Sequence, residues 1–215
     1  MTDWSVYLVT GESLSAGRTT PETVADAIAG GVSVVQLRDK DRSVRERYET
    51  GQRIRELTRD ADVPLIVNDR VDLAALLDAD GVHLGDDDLP VQAARRLLGE
   101  DAIVGRSVST VDEATDAAAA GADYLGVGTV YRTGSKSDIP GETHGVGPER
   151  VADIAAAVDI PLVGIGGVTA ENAAEVVEAG ADGVAVITEI TRADDPEAAA
   201  AALREAVERG RERRE

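Results

Sequence analysis

The chain has 215 residues, of which 43% are apolar, with no phenylalanine and a single tryptophan. Its 41 acidic and 22 basic residues give a formal net charge of -19. This charge excludes a protein that binds nucleic acid through a basic surface, because the phosphate backbone would be repelled. The absence of cysteine excludes both a disulfide framework and thiolate chemistry.

The first residues are too polar for a signal peptide, and no apolar run approaches the length that crosses a membrane. We therefore expect a soluble, cytoplasmic protein with no membrane partner, and the length suits one domain over residues 1–215. An evenly spread acidic, lysine-poor surface is typical of adaptation to high salt. An acidic patch for a basic partner is the less favoured alternative, and homo-oligomerisation stays open.

Short β-branched runs alternate with alanine-rich segments of helical period along the chain. Strands are predicted over residues 6–9, 32–37, 65–67, 81–84, 103–105, 124–127, 162–165 and 183–187. Helices are predicted over residues 21–29, 44–58, 91–98, 111–120, 148–157, 170–179 and 196–208. We expect Thr20 to cap the first helix before Pro21, and Gly121 and Gly180 to end two later helices.

Three similar tripeptides join a predicted helix to the next strand. They are Ala-Asp-Gly at 79–81, Ala-Asp-Tyr at 122–124 and Ala-Asp-Gly at 181–183. Repeated βα units predict an α/β fold, a single closed (β/α)₈ TIM barrel, with a doubly wound open sheet as the alternative. The longest predicted connection, 132–147, is polar. We interpret it as a lid, because loops of that length are usually functional.

Polar residues follow nearly every predicted strand at its C-terminal end. In a (β/α)₈ barrel these ends converge on the face where active sites are built. The residues placed in one pocket on this basis are Arg38, Lys40, Asn68, Asp69, His83, Asp88, Ser107, Lys136, Gly166 and Gly167.

Only two of the basic residues, Lys40 and Lys136, are lysine, and each ends a polar cluster after an apolar run. All other basic residues are arginine, which suffices where the side chain is only a solvated cation. A compact ammonium on a flexible stem acts as a point charge for phosphate. The lysines therefore indicate contacts to phosphate, whereas chance placement on exposed loops is the alternative.

Gln36, Arg38 and Lys40 are two residues apart and share one face while the chain stays extended. Two cations pointing into the mouth of a barrel are costly unless an anion meets them, and a diphosphate would suit. The alternative is a solvated strand end in which Asp39 and Asp41 are the partners.

Acidic residues follow the third and fourth predicted strands. Asp69 and Asp88 are expected close enough to share Mg²⁺, which takes one or two carboxylates and keeps water and phosphate oxygens. For Asp86 and Asp87 the favoured interpretation is instead that they complement the dipole at the start of the next helix.

His83 has neither a cysteine nor a second histidine near it in the predicted barrel, so zinc or triad chemistry is not expected. It either orients substrate or is a structural histidine with satisfied hydrogen bonds, and the sequence leaves both open. His144, in the long loop, is interpreted as incidental.

Gly166 and Gly167 end the seventh predicted strand, and Thr188 follows the eighth. Backbone amides there form the phosphate cradle common to many barrels. A second phosphate site, away from Arg38 and Lys40, implies small-molecule substrates: a diphosphate donor and a monophosphate acceptor.

Several motifs together resemble the thiamine-phosphate synthase family, in order and spacing over nearly the whole chain. They are Gln-Leu-Arg-Asp-Lys at 36–40, Asn-Asp at 68–69, Gly-Val-His-Leu-Gly at 81–85, Gly-Arg-Ser at 105–107, Thr-Gly-Ser-Lys at 133–136 and Gly-Ile-Gly-Gly at 164–167. The resemblance implies that hydroxymethylpyrimidine diphosphate and thiazole phosphate are joined to give thiamine phosphate and pyrophosphate. It also implies a dissociative mechanism in which a pyrimidine-stabilised carbocation is captured by the thiazole nitrogen.

The resemblance also assigns roles to positions of this chain. It implies that the pyrimidine diphosphate is held by Gln36, Arg38, Lys40, Asn68, Ser107 and Lys136. It implies that the thiazole phosphate is held by Thr133, Ser135, Gly167, Ile187 and Thr188. Leu37, Asp39 and Gly134, within the same motifs, are expected to add substrate contacts. Among these, Arg38, Lys40, Ser107 and Lys136 are implied to be catalytic. Asp69 and Asp88 are implied to bind Mg²⁺ as cofactor.

The chain departs from the family pattern in a few places. Asp86 stands where the family usually has glutamine and adds negative charge near the metal. Arg132 replaces a proline, and Ser135 and Thr188 each exchange one small hydroxyl residue for the other. None of these changes removes an implied role.

Two other functions compete with the synthase. A thiazole tautomerase of the same fold needs a proton-transferring histidine near strands five and six, where Ser109 and Thr129 stand instead. A non-catalytic sensor of phosphate ligands would not need two lysines and two metal carboxylates together.

Overall fold

In the computed structural model, which describes residues 2–11, 13, 15–133 and 145–214, eight parallel strands form a closed barrel in chain order. The strands are β1 (Val6–Val9), β2 (Val34–Leu37), β3 (Leu65–Asn68), β4 (Gly81–Leu84), β5 (Ile103–Val108), β6 (Tyr124–Gly128), β7 (Leu162–Ile165) and β8 (Gly183–Val186). β1 pairs with both β2 and β8, which closes the barrel. The predicted (β/α)₈ barrel is confirmed.

Helices surround the strands on the outside. They are α1 (Thr20–Ala29), α2 (Val44–Asp60), α3 (Val71–Leu76), α4 (Val91–Leu98), α5 (Val111–Ala119), α6 (Gly147–Ala155), α7 (Ala173–Glu178), α8 (Thr188–Thr191) and α9 (Pro196–Arg214). In the described ranges, no helix is both long and apolar enough to cross a membrane.

Apolar side chains form two layers, because successive residues of a strand point to opposite faces. The inner layer fills the barrel and includes the aromatic rings of Trp4, Tyr7 and Tyr124. The outer layer lies between the strands and the helices and is almost wholly aliphatic. Burial on both faces explains why the strands read as continuous Val-, Ile- and Leu-rich runs.

The helix ends follow local signals, with one correction. Thr19, not the predicted Thr20, caps α1, because Glu22 stands three residues after Thr19 and the two form a reciprocal capping box. The Thr20 hydroxyl donates instead to Asp39. Gly121 and Gly180 follow α5 and α7 with positive φ, as predicted.

The repeated Ala-Asp tripeptides have a common structural role. Each aspartate donates its backbone amide to the carbonyl of a residue at the start of the preceding strand, and accepts that residue's amide at its carboxylate. The pairs are Asp80 with Leu65, Asp123 with Val104 and Asp182 with Leu162, at 2.7 to 2.9 Å. These aspartates tie neighbouring strands together at the end of the barrel opposite the predicted site.

Candidate active site

A cavity of about 270 Å³ lies at the end of the barrel where the polar strand ends converge. Its charged and polar lining residues are Tyr7, Gln36, Arg38, Lys40, Asn68, Asp69, His83, Asp86, Asp87, Asp88 and Ser107. Val9, Val163, Ile165 and Ala185 add an apolar wall from the inner layer. The structure therefore brings the predicted residues of strands two to five into one pocket.

The cationic side of the pocket follows β2. Arg38 and Lys40 lie just beyond Leu37, where β2 ends, and line the cavity with Gln36. The Lys40 ammonium lies 2.9 Å from a carboxylate oxygen of Asp69. An anion entering here would therefore meet a cation that is already held next to an acid.

Asp69 sits in an unusual backbone conformation directly after β3. Its φ is +62°, in the left-handed region that aspartate tolerates better than most residues. Its amide donates to the His83 carbonyl over 2.9 Å. Strained backbone held by its neighbours is characteristic of functional sites, and here it presents the Asp69 carboxylate to the cavity.

Asp69 and Asp88 lie close enough to influence each other. Burial raises the pKa of Asp88 above its ordinary value; the Gly85 amide, 2.6 Å away, acts in the opposite direction, and the Asp69 carboxylate adds to the increase. Two neighbouring carboxylates in one cavity fit Mg²⁺, which keeps several waters and uses only one or two protein carboxylates. Among the described residues, no cluster of three or more histidine or acidic side chains is arranged to hold a metal.

Arg106 holds the loop between β4 and α4. Its guanidinium donates to the Gly85 carbonyl and lies 3.2 Å from a carboxylate oxygen of Asp86. The interpretation of Asp86 and Asp87 as helix-dipole acids is wrong, because α4 begins only at Val91 and its first turn contains no acid. Asp86 instead pairs with Arg106 at the rim of the pocket.

A chain of hydrogen bonds crosses the floor of the pocket. Gln36 Nε2 donates to the Tyr7 hydroxyl over 2.7 Å, and the Tyr7 and Tyr124 hydroxyls lie 2.8 Å apart. His83 Nδ1 lies 2.8 Å from the Tyr124 hydroxyl, and His83 Nε2 lies 2.9 Å from Ser107 Oγ. Both nitrogens of His83 therefore have a partner.

Of the implied substrate residues on and just after β2, Leu37 and Asp39 do not line this cavity. Leu37 packs in the outer apolar layer, close to Gly51 of α2. Asp39 is buried and accepts a hydrogen bond from Thr20.

The residues implied for the second phosphate follow β6, β7 and β8. Gly166 and Gly167 have φ values of +98° and +64°, and a Cβ on Gly167 would lie within 2.8 Å of Tyr131 and the Arg132 carbonyl. Thr133 follows β6, and Ile187 and Thr188 follow β8 directly.

Part of the predicted amide cradle after β7 is already occupied. The Thr169 amide donates to Asn172 and the Ala170 amide to Glu189. These two amides are therefore engaged within the protein. Gly134, Ser135, Lys136 and His144, and the central part of the interpreted lid, lie outside the described residues.

Sequence reasoning missed Tyr7, Tyr124 and Arg106. A signal for Tyr124 was present, since Gly105 on the neighbouring strand leaves room for its ring: a Cβ there would lie 2.2 Å from Tyr124 Cζ. A signal for Tyr7 was present as well. Tyr7 and Val9 are two residues apart on β1 and therefore point to the same face of the strand, the face that lines the cavity. Nothing in the local sequence of Arg106 indicates its contact with the loop 21 residues earlier.

Comparison with known proteins shows the family to which the chain belongs. The model of the thiamine monophosphate synthase family matches residues 6–190. A protein of Haloarcula marismortui named thiamine-phosphate synthase is 71% identical over 98% of this chain and 100% of its own. The protein of the same name from Natronomonas pharaonis is 64% identical over 96% of both chains.

Solved structures give the same result. A thiamine phosphate pyrophosphorylase from Pyrococcus furiosus superposes with a TM-score of 0.88 at 38% identity, covering 97% of this chain and 98% of that one. A more distant structure titled 3-hexulose-6-phosphate synthase, at 18% identity and a TM-score of 0.65, shares the fold alone. With motifs, barrel and pocket in agreement, the chain belongs to the thiamine monophosphate synthase family of transferases.

Proposed function

We propose that the protein joins hydroxymethylpyrimidine diphosphate to thiazole phosphate, or to its carboxylated form with loss of CO₂, to give thiamine phosphate and pyrophosphate. The observation that carries the proposal is the cluster of Lys40, Asp69 and Asp88 at one side of a cavity whose floor holds Gln36 and Ser107. Cations and metal-binding carboxylates suit a diphosphate, whereas the amide and hydroxyl suit a heterocycle.

The diphosphate would lie against Arg38 and Lys40, with Lys136 reaching it from the loop after β6. Asp69 and Asp88 would hold Mg²⁺, which when bound neutralises charge on the diphosphate oxygens. Lys40 would then exchange part of its contact with Asp69 for one with the diphosphate. Fixed cations of this kind stabilise the negative charge that develops on a leaving group.

Bond breaking requires no base from the protein. The carbon–oxygen bond of the pyrimidine substrate breaks, and pyrophosphate departs with the electron pair. The aminopyrimidine ring stabilises the carbocation left behind, and the thiazole nitrogen captures it with its own lone pair. Gln36, Asn68 and Ser107 would orient the pyrimidine so that the cationic carbon faces the acceptor.

The thiazole phosphate would be held by the loops after β6, β7 and β8. Gly167 offers backbone that approaches closely because it has no side chain, and Thr133, Ser135 and Thr188 offer hydroxyl donors, with Gly134 and Ile187 contributing contacts. Such donors satisfy phosphate oxygens without adding a charge that competes for the pyrophosphate.

The experiment that tests this function follows pyrophosphate release and thiamine phosphate formation together. The purified protein is given both substrates and Mg²⁺ in molar KCl, and each component is omitted in turn or EDTA is added. We expect release only with both substrates and the metal, with one thiamine phosphate for each pyrophosphate. Absence of release from protein that circular dichroism shows to be folded would contradict the proposal.

The tautomerase alternative predicts a different result. It would convert the thiazole phosphate without the pyrimidine substrate and would release no pyrophosphate. The structure does not favour it, because both nitrogens of His83 are engaged by Tyr124 and Ser107. Following the thiazole phosphate alone by NMR separates the two reactions.

A further inference from the structure

The hydrogen bonds on the floor of the pocket have one consistent direction. A glutamine Nε2 can only donate, so the Tyr7 oxygen accepts from Gln36 and its single hydrogen points to Tyr124. The Tyr124 oxygen accepts this hydrogen, and its own hydrogen points to His83 Nδ1. A neutral His83 therefore carries its proton on Nε2 and donates it to Ser107 Oγ.

The direction of the chain decides what its two ends present to a ligand. At one end, the side-chain oxygen of Gln36, Oε1, can accept a hydrogen bond. At the other end, Ser107 Oγ accepts from His83, so its own hydroxyl hydrogen is left to donate. Both residues line the cavity, and an aminopyrimidine carries the complementary groups, an amino donor and ring-nitrogen acceptors.

The two tyrosines are held firmly in the barrel. Tyr7 and Tyr124 are 1% and 0% exposed, and Trp4 stacks on Tyr124 with ring centroids 4.3 Å apart. A Cβ at Gly105 would collide with the Tyr124 ring, so this glycine makes the space for it. Burial raises the pKa of both phenols, so each remains a hydrogen-bond donor at neutral pH.

We infer that Tyr7 and Tyr124 are positioning residues that select the heterocycle accepted by the pocket. Tyr7 fixes the hydrogen-bond polarity of Gln36 directly, and Tyr124 fixes that of Ser107 through His83. Neither tyrosine is among the residues proposed above to hold a phosphate or the metal. His83 is held as the Nε2–H tautomer by this chain and serves as a link between Tyr124 and Ser107. The part of the inference that concerns substrate rests on the proposed function, whereas the tautomer does not.

The first test reads the tautomer directly. The chain has two histidines, so nitrogen-15 NMR of the full-length protein gives two pairs of imidazole signals, Nδ1 and Nε2 of each ring. A His144→Gln variant identifies the pair of His83. We expect the wild-type proton on Nε2 at pH 7.5. In Tyr124→Phe, which removes the donor to Nδ1, we expect a measurable population with the proton on Nδ1. A wild-type proton on Nδ1, or a Tyr124→Phe spectrum unchanged from wild type, would overturn the inference.

The second test compares the effect of Tyr124→Phe on the KM values of the two substrates. Losing one hydrogen bond that orients a ligand group costs about tenfold in affinity, so we expect Tyr124→Phe to raise KM for the pyrimidine diphosphate about tenfold. KM for thiazole phosphate should stay within about twofold. Equal changes in both values, or none, would overturn the positioning role.

Control variants distinguish this role from a general loss of structure. Tyr48→Phe removes a phenol on α2 whose hydroxyl contacts only Gln52 among the described residues, and it should leave the spectrum and both KM values unchanged. Tyr7→Phe breaks the chain of hydrogen bonds at the Gln36 end. It should also raise KM for the pyrimidine diphosphate and leave KM for thiazole phosphate unchanged. Wild-type kinetics in Tyr7→Phe would contradict a chain that extends to Gln36.

A double-mutant cycle tests whether the effect of Tyr124 passes through Ser107. We expect Ser107→Ala with Tyr124→Phe to cost less than the product of the single effects, because both remove the same contact. Strictly multiplicative effects would overturn the linkage. If the wild-type protein makes no thiamine phosphate, the proposed function fails. The tautomer measurement still decides whether the chain of hydrogen bonds from Gln36 to Ser107 exists.

Discussion

Lys40 shows how one side chain combines two roles in the pocket. Its ammonium lies 2.9 Å from Asp69, which in turn affects the pKa of Asp88. The pair is partly exposed, so in the free protein it contributes little to stability. The value of the arrangement lies in placing a cation where a diphosphate would bind beside the two carboxylates.

The first prediction concerns the two lysines. With both substrates saturating, Lys40→Ala and Lys136→Ala should each lower the rate of pyrophosphate release about 10²-fold or more, the scale of one contact to developing charge. Lys40→Arg should also be impaired, about tenfold, since the planar guanidinium does not reproduce a compact ammonium.

Arg53→Ala is the matched control for these variants. It also removes one positive charge, but from the exposed face of α2, and its rate should equal that of the wild type. An unchanged rate in either lysine variant would contradict the role of that lysine in stabilising the leaving group.

The residues at the strand ends could be predicted because a parallel barrel brings them together wherever they occur in the sequence. Arg38, Lys40, Asn68, Asp69, Asp88 and Ser107 entered one cavity for this reason. The contact of Tyr7 with Tyr124 could not be predicted, because it joins residues 117 positions apart. It depends on the stagger of the strands, which no local pattern records.

At the scale of elements, four segments were predicted with the observed bounds and two short helices were missed. β1, β4, β7 and α4 have the predicted bounds. α3 and α8 were missed, because they have only six and four residues and neither has a side-chain cap. Such helices form because tertiary packing stabilises them, as isolated segments of that length would not be helical.

The second prediction concerns Asp80, one of the three aspartates that tie neighbouring strands together. Its carboxylate accepts from the Leu65 amide and lies 2.6 Å from Arg55, whose side chain is only 13% exposed. Asp80→Ala leaves both donors without this acceptor and should lower the free energy of unfolding by about 2 kcal/mol. Asp80→Asn keeps an oxygen for Leu65 and should cost about half as much. Urea denaturation measures both values.

Asp78→Asn is the control for Asp80. Its ion pair with Arg59 is highly exposed, so the substitution should change stability by less than about 0.5 kcal/mol. Activity should be retained in all three variants, because Asp80 lies before β4 at the end of the barrel away from the pocket. Equal stability of Asp80→Ala and wild type would contradict the proposed role of the strand ties.

The third prediction is a pH dependence at the start of α2. Hydrogen bonds from Ser43 and a contact with Arg42 lower the pKa of Glu46 to about 2 in the folded protein. Because this pKa is depressed, the stabilisation is fully present above the ordinary value near 4.5 and is lost as the pH falls toward 2. The stability difference between wild type and Glu46→Gln should therefore shrink between pH 5 and about pH 2.

Denaturant unfolding at a series of pH values measures this difference. Glu49→Gln removes an acid one turn later on α2, outside the capping box formed by Ser43 and Glu46, and serves as the comparison. A Glu46→Gln difference that stays constant from pH 6 to pH 3 would show that the capping box gains nothing from the charge of Glu46.

At the scale of the whole molecule, the net charge of -19 is the dominant feature. The ion pairs of the described residues are mostly on the surface, where each contributes little. The excess of acids therefore repels itself, and compaction has to overcome this repulsion.

The last prediction follows from the screening of this repulsion. The Debye length falls from about 10 Å at 0.1 M salt to about 3 Å at 1 M, so the thermal midpoint should rise by several degrees between 0.1 and 1 M KCl. If screening is the cause, most of the rise should occur below about 1 M, and KCl and NaCl should act equally. Preferential exclusion of salt from the protein surface would instead give a rise that continues to higher concentration and is larger for sulfate than for chloride. A midpoint independent of salt would show that the acids are too far apart to repel one another, and adaptation to high salt would then have no physical basis in the charge of this chain.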